Sequence, residues 1–135
     1  MEFQLEWAWD SGGGFVDIDV RKVGKVHAIR LKGQLKLGEA VDELRSTLDG
    51  FVADATYSVV LNLTEVPMAD SSGVGVLVRY QATLKQKGGA LKLVNPSKLV
   101  SQTLKILGLL SVFEVFTDET AAVQSFNPEA ATTAG

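Results

Sequence analysis

Apolar and polar residues alternate along the first thirty positions of the chain and then change period. Phe3, Leu5, Trp7 and Trp9 are separated by Gln4, Glu6 and Ala8, which predicts a strand with a large aromatic face. Asp10-Ser11-Gly12-Gly13-Gly14 breaks it as a turn. Val16, Ile18 and Val20 alternate with Asp17, Asp19 and Arg21, a second strand with one solvated face. Val23-Gly24-Lys25 then reads as a hairpin connection into a third strand, Val26 to Leu31. Val41, Leu44, Leu48 and Phe51 recur at spacings of three and four and predict a helix. Val59 to Leu63 is apolar apart from Asn62 and rich in branched residues, the pattern of an interior parallel strand buried on both faces. A helix starting near Ser72 runs through Val74, Leu77, Tyr80 and Leu84 and ends at Lys85-Gln86-Lys87-Gly88-Gly89, where lysines complement the dipole and glycine stops the helix.

Leu91 to Val94 is a further short strand. Asn95-Pro96-Ser97 caps a helix whose inner face is assigned to Leu99, Thr103, Leu104 and Leu107. Leu109 and Leu110 suit either the core or a partner surface. Val112 to Phe116 is the last predicted strand, and Thr117-Asp118-Glu119 caps a final helix reaching Phe126, with Val123 and Phe126 inward. Residues 127–135 carry no pattern and are expected to be a disordered tail. A hairpin followed by strands alternating with helices implies an α/β fold, a mixed β-sheet with helices packed mainly on one side. The chain divides into an extra N-terminal strand and Gly-rich turn (1–14), one folded domain (15–126) and the tail (127–135).

Composition narrows the function. With 135 residues, 46% hydrophobic and 21% charged, the chain suits a single globular domain with a continuous core. Its net charge of −3 and scattered Lys and Arg give no basic footprint for direct nucleic-acid binding. The absence of cysteine fits a cytoplasmic protein. Met1-Glu2-Phe3-Gln4-Leu5-Glu6 has no basic or apolar secretion region, and no apolar run has membrane-spanning length, so no membrane insertion is expected.

Catalysis finds little support. His27 sits mid-strand with no partner nucleophile, and is read as a strand residue. No Gly-x-Ser-x-Gly elbow, phosphate-cradling Gly-Lys loop or metal-ligand spacing occurs, so neither enzyme activity nor a cofactor is expected. Asp70-Ser71-Ser72-Gly73 stands out instead, where a strand hands over to a helix. Asp and Ser are preferred helix caps, which alone would account for one of them. Tandem hydroxyls behind a carboxylate, at a helix N-terminus that accepts negative charge, also suit phosphorylation of Ser71 or Ser72 by another protein. Gly73 and Gly75 in the first turn each cost about 1 kcal/mol of helix propensity and leave the backbone approachable to a docking partner.

The residues Val59-Val60-Leu61-Asn62-Leu63, Val66-Pro67-Met68-Ala69-Asp70-Ser71-Ser72-Gly73-Val74-Gly75, Gly88-Gly89-Ala90-Leu91-Lys92-Leu93-Val94-Asn95-Pro96 and Leu107-Gly108-Leu109 resemble the STAS domain family, nearest to its soluble bacterial anti-sigma factor antagonists. The resemblance spans Phe15 to Phe126. It implies partner switching: the unphosphorylated protein binds an anti-sigma factor that is also a serine kinase, phosphorylation of the serine after the aspartate ends binding, and a serine phosphatase resets it. By position that serine is Ser71, with Ser72 as the capping hydroxyl and Asp70 orienting the loop. ATP and Mg²⁺ would belong to the kinase. The implied partner-binding residues are Asp70, Ser71, Ser72, Gly73, Val74 and Lys36, the last standing where the family often has an aspartate. Two alternatives share the resemblance: an unphosphorylated adaptor subunit of a transporter, and a subunit of a sensory assembly. The Trp7/Trp9 strand is either an added edge strand or a surface for a homodimer or partner.

Overall fold

In the computed structural model, which describes residues 16–126, five strands lie side by side in the order in which they occur in the sequence. The elements are β1 (Asp17–Val23), β2 (Val26–Lys32), α1 (Glu39–Ala53), β3 (Ser58–Glu65), α2 (Ser71–Gln86), β4 (Ala90–Val94), α3 (Lys98–Ile106), a 3-10 turn (Leu110–Val112), β5 (Val115–Phe116) and α4 (Glu119–Gln124). β1 and β2 form an antiparallel hairpin, and every later neighbour pair is parallel. The mixed sheet expected from the strand pattern is therefore present. The Trp7/Trp9 strand and the tail lie outside the described residues.

One face of the sheet carries most of the core. Ile29, Leu31, Leu61, Leu63, Leu91 and Leu93 pack against Leu44 and Leu48 of α1, Leu77 and Leu84 of α2, and Val100 and Leu104 of α3. The other face holds a smaller cluster, Val26, Ala28, Val60 and Val94, covered by Ala122 of α4. β3 is central, with Val59, Val60 and Leu61 fully buried. Polar ties fix the helices. The Tyr80 hydroxyl of α2 donates to Asp49 of α1, and burial together with that bond pushes Tyr80 up to about 12. Buried Gln81 accepts from the Leu91 N–H at 2.7 Å and donates to the Val112 carbonyl at 2.9 Å, joining α2 to β4 and the 3-10 turn.

Three expectations need correction. The inner face of α3 is Val100 and Leu104, whereas Leu99 and Leu107 are 52% and 47% exposed. Leu99 and Leu104 are about 140° apart around a helix and cannot both face inward, while Val100 and Leu104 are about 40° apart. The last strand is only Val115–Phe116, because Gly108 at φ 73 ends the α3 region and Leu110–Val112 turns as 3-10. The final helix is shorter than predicted, Glu119–Gln124, although Asp118 caps it and Val123 and Phe126 pack inward beside buried Ala122 as expected. His27 is a strand residue as expected. Its ring lies 4.7 Å from that of Phe51, its Nδ1 is buried without a hydrogen-bond partner, and burial, reinforced by Lys22, lowers its pKa.

Candidate functional site

The site is built where the connection after β3 enters α2. Within that connection Val66 and Ala69 are buried and anchor it to the core. The loop 33–38 runs beside it: Leu35 N–H donates to the Met68 carbonyl at 3.0 Å, and Asp70 N–H donates to the Leu35 carbonyl at 3.1 Å. Leu35 and Ala69 thus form a parallel bridge, and the Leu35 side chain is fully buried. Asp70, in extended conformation, is the N-cap of α2. One carboxylate oxygen accepts from Gly73 N–H and the other from Leu37 N–H, each at 2.9 Å. Burial pushes the Asp70 carboxyl up, but donation from Leu37, Gly73 and Ser72 outweighs it and holds the group below its ordinary value. One carboxylate therefore both caps α2 and fastens the loop 33–38 to it.

That arrangement leaves the serines unemployed. Capping falls to Asp70 and not to Ser72, a correction explained by position: α2 begins at Ser71, so both serines are already inside its first turn. Among the described residues neither serine hydroxyl has a hydrogen-bond partner. Ser71 is exposed and Ser72 half-buried. Gly73 and Val74 act beneath the surface. A Cβ on Gly73 would stand 2.5 Å from the Leu35 carbonyl oxygen, and Val74 is buried in the core. Gly75 is the approachable glycine, exposed and with open space for 4 Å around the position a Cβ would take. Lys36 is exposed on the fastened loop. The structure thus gathers Asp70, Ser71, Ser72 and Lys36 at one end of α2, above Gly73 and Val74. Sequence reasoning missed Leu37, a 74% exposed leucine beside Lys36, and Leu35 beneath it. Their signal was two leucines inside a glycine-bounded loop.

A model of the family described as STAS domain matches residues 17–122. The chain belongs to the STAS domain family. Among relatives of this STAS domain, an anti-sigma F factor antagonist of Paenibacillus polymyxa is 27% identical over 96 residues, 70% of this chain and 81% of that protein. The solved structure of the anti-sigma factor antagonist SpoIIAA in its unphosphorylated form aligns with a TM-score of 0.70 at 25% identity, over 80% of this chain and 94% of that one. An anti-sigma-factor antagonist (STAS) domain protein from Planctomyces limnophilus has the same fold, with a TM-score of 0.72 at 22% identity over 81% and 97% of the two chains. Among the described residues of this STAS domain no cluster of acidic or imidazole groups has metal-binding geometry, and no helix is long and apolar enough to cross a membrane.

Proposed function

We propose that this STAS domain is an anti-sigma factor antagonist that works by partner switching through Ser71. The observation that carries the reading is the division of labour at the start of α2: Asp70 does the capping, and the adjacent Ser71 is exposed with no structural bond to lose. The named relatives support the antagonist role. A phosphate on Ser71 adds a charge of about −1.5 to −2 beside an ionised Asp70. The helix N-terminus tolerates that charge within the fold. A docked partner does not: an uncompensated charge buried in an interface costs about 2–5 kcal/mol, or roughly thirty- to several-thousand-fold in affinity. The bound partner is an anti-sigma factor with serine kinase activity, which brings its own ATP and Mg²⁺, and a separate phosphatase restores the hydroxyl.

The test is the intact mass of the protein taken from its own cells, with fragment ions to locate any phosphate. Phosphate on Ser71, together with Ser71→Ala that still binds the anti-sigma factor, is the expected result. A protein unmodified across growth and stress conditions would overturn the switch and favour a constitutive adaptor.

A further inference from the structure

The loop 33–38, α2 and α3 carry Lys36, Arg79, Lys85, Lys98 and Lys105 and no acidic residue. They are net positive segments of a chain with 16 acidic and 13 basic residues. The carboxylate at the junction, that of Asp70, is occupied by two backbone N–H groups. The neighbouring helix has the opposite sign: α1 holds Glu39, Asp42, Glu43 and Asp49 against Arg45. Burial, and then the charges of Glu39 and Asp17, push the Glu43 carboxyl up.

Three of the cations lie on the segments that border the start of α2. Lys36 is on the loop that Asp70 fastens to α2. Arg79 lies just over two turns along α2 and is exposed like Ser71 and Gly75, on the same side of the helix. Lys98 opens α3, whose cap residue Ser97 donates to the Pro67 carbonyl at 3.4 Å, beside the connection into α2. Among the described residues none of the three has an ion-pair partner, whereas Arg21, Arg30 and Lys92 do. Leu37 and Leu99, 74% and 52% exposed, are the sequence neighbours of Lys36 and Lys98 and add apolar surface there.

We propose that the Ser71 face docks on an acidic protein surface, with Lys36, Arg79 and Lys98 as the charged rim and Leu37 as the apolar anchor. This rests on the antagonist reading and names the chemistry of its partner, an anti-sigma factor with an acidic docking face around an apolar recess. The switch gains a second cause. Phosphate at the centre of a basic rim cancels the attraction as well as obstructing the contact, because the modification and the partner then have the same sign. Rim charges act mainly on the association rate and are screened by salt.

The experiment uses the full chain and each purified anti-sigma factor of the organism that encodes it, with association rates measured at low and at high salt. For the factor that binds, the rate should fall steeply as salt rises. Lys36→Glu should slow association about tenfold and Lys36→Gln by less. Leu37→Ala should speed dissociation, and Glu43→Lys on α1 should not slow association. Circular dichroism checks that each variant is folded. A factor that binds with a rate insensitive to salt and to both Lys36 variants would overturn the acidic-partner inference and leave the antagonist reading standing. If no anti-sigma factor binds the wild-type chain, both fall.

Discussion

At the residue scale two glycines separate local preference from tertiary demand. Gly73 and Gly75 share a helical turn, yet a methyl group at Gly73 would meet the Leu35 backbone while one at Gly75 would meet nothing. Gly73→Ala should therefore destabilise by about 1–3 kcal/mol as the loop 33–38 is pushed off α2. Gly75→Ala should stabilise by about 0.5–1 kcal/mol, since only helix propensity changes. Denaturant midpoints of the two variants check both signs. The pair was visible in the sequence as unusual for a helix start, but the carbonyl that requires Gly73 comes from a distant loop and was not. Asp70→Ala should cost about 1–3 kcal/mol near neutral pH, since a cap and a second charge-assisted bond are lost together. The folded-state pKa of Asp70 is depressed, so its contribution is complete above the unfolded-state value and disappears as pH falls through the folded value. The gap between wild type and Asp70→Ala should accordingly narrow below about pH 4, as urea titrations across that range would show.

At the element scale the helices differ in what holds them. α1 and α2 have long apolar stripes, and their periodicity was legible; so was β3, whose apolar run reports burial on both faces. The Ser97 cap of α3 was legible, but its inner face was misread, and so was β5, whose extent depends on Gly108 and the reach of two residues to the edge of β4, which periodicity does not carry. α4 has six residues, too few to be stable alone. It is held by Glu119, which accepts from Arg21 at 2.9 Å, from Arg30 at 3.1 Å and from Asn62 at 3.2 Å, and by Ser125, which accepts from Lys92 Nζ at 2.7 Å. Glu119→Gln should speed amide hydrogen exchange in α4 while leaving α2 protected. The hydrogen bond from Arg30, aided by Asn62, overcomes burial and holds the Glu119 carboxyl below its ordinary value. Its anchoring is therefore full above the unfolded-state pKa and weakens as pH falls through the folded one, so protection factors in α4, corrected for the intrinsic exchange rate at each pH, should fall in acid before those in α2.

At the scale of the whole molecule the candidate switch and the core are separate. Ser71 sits at the rim of the helical layer, whereas the second face of the sheet is covered by α4. Ser71→Asp should weaken binding of the anti-sigma factor in titration calorimetry yet leave the thermal midpoint within a few degrees of wild type, the response to less than about 1 kcal/mol. The sheet itself was legible from the succession of patterns. The seam between the loop 33–38 and the start of α2 was not, because it is made by backbone groups of Leu35, Leu37 and Met68 that any side chains could offer. The strand order has a consequence in time. Since each strand lies beside the one made before it, synthesis never has to open a finished pair to insert a latecomer. The nascent sheet can extend at a single growing margin as it leaves the ribosome, and the loop, the connection and α2 are all translated before β4, β5 and α4. The Ser71 end of α2 and the loop fastened to it are thus assembled from the earlier part of the domain, and the last strand, two residues long, leaves little template for a neighbouring chain to continue the sheet.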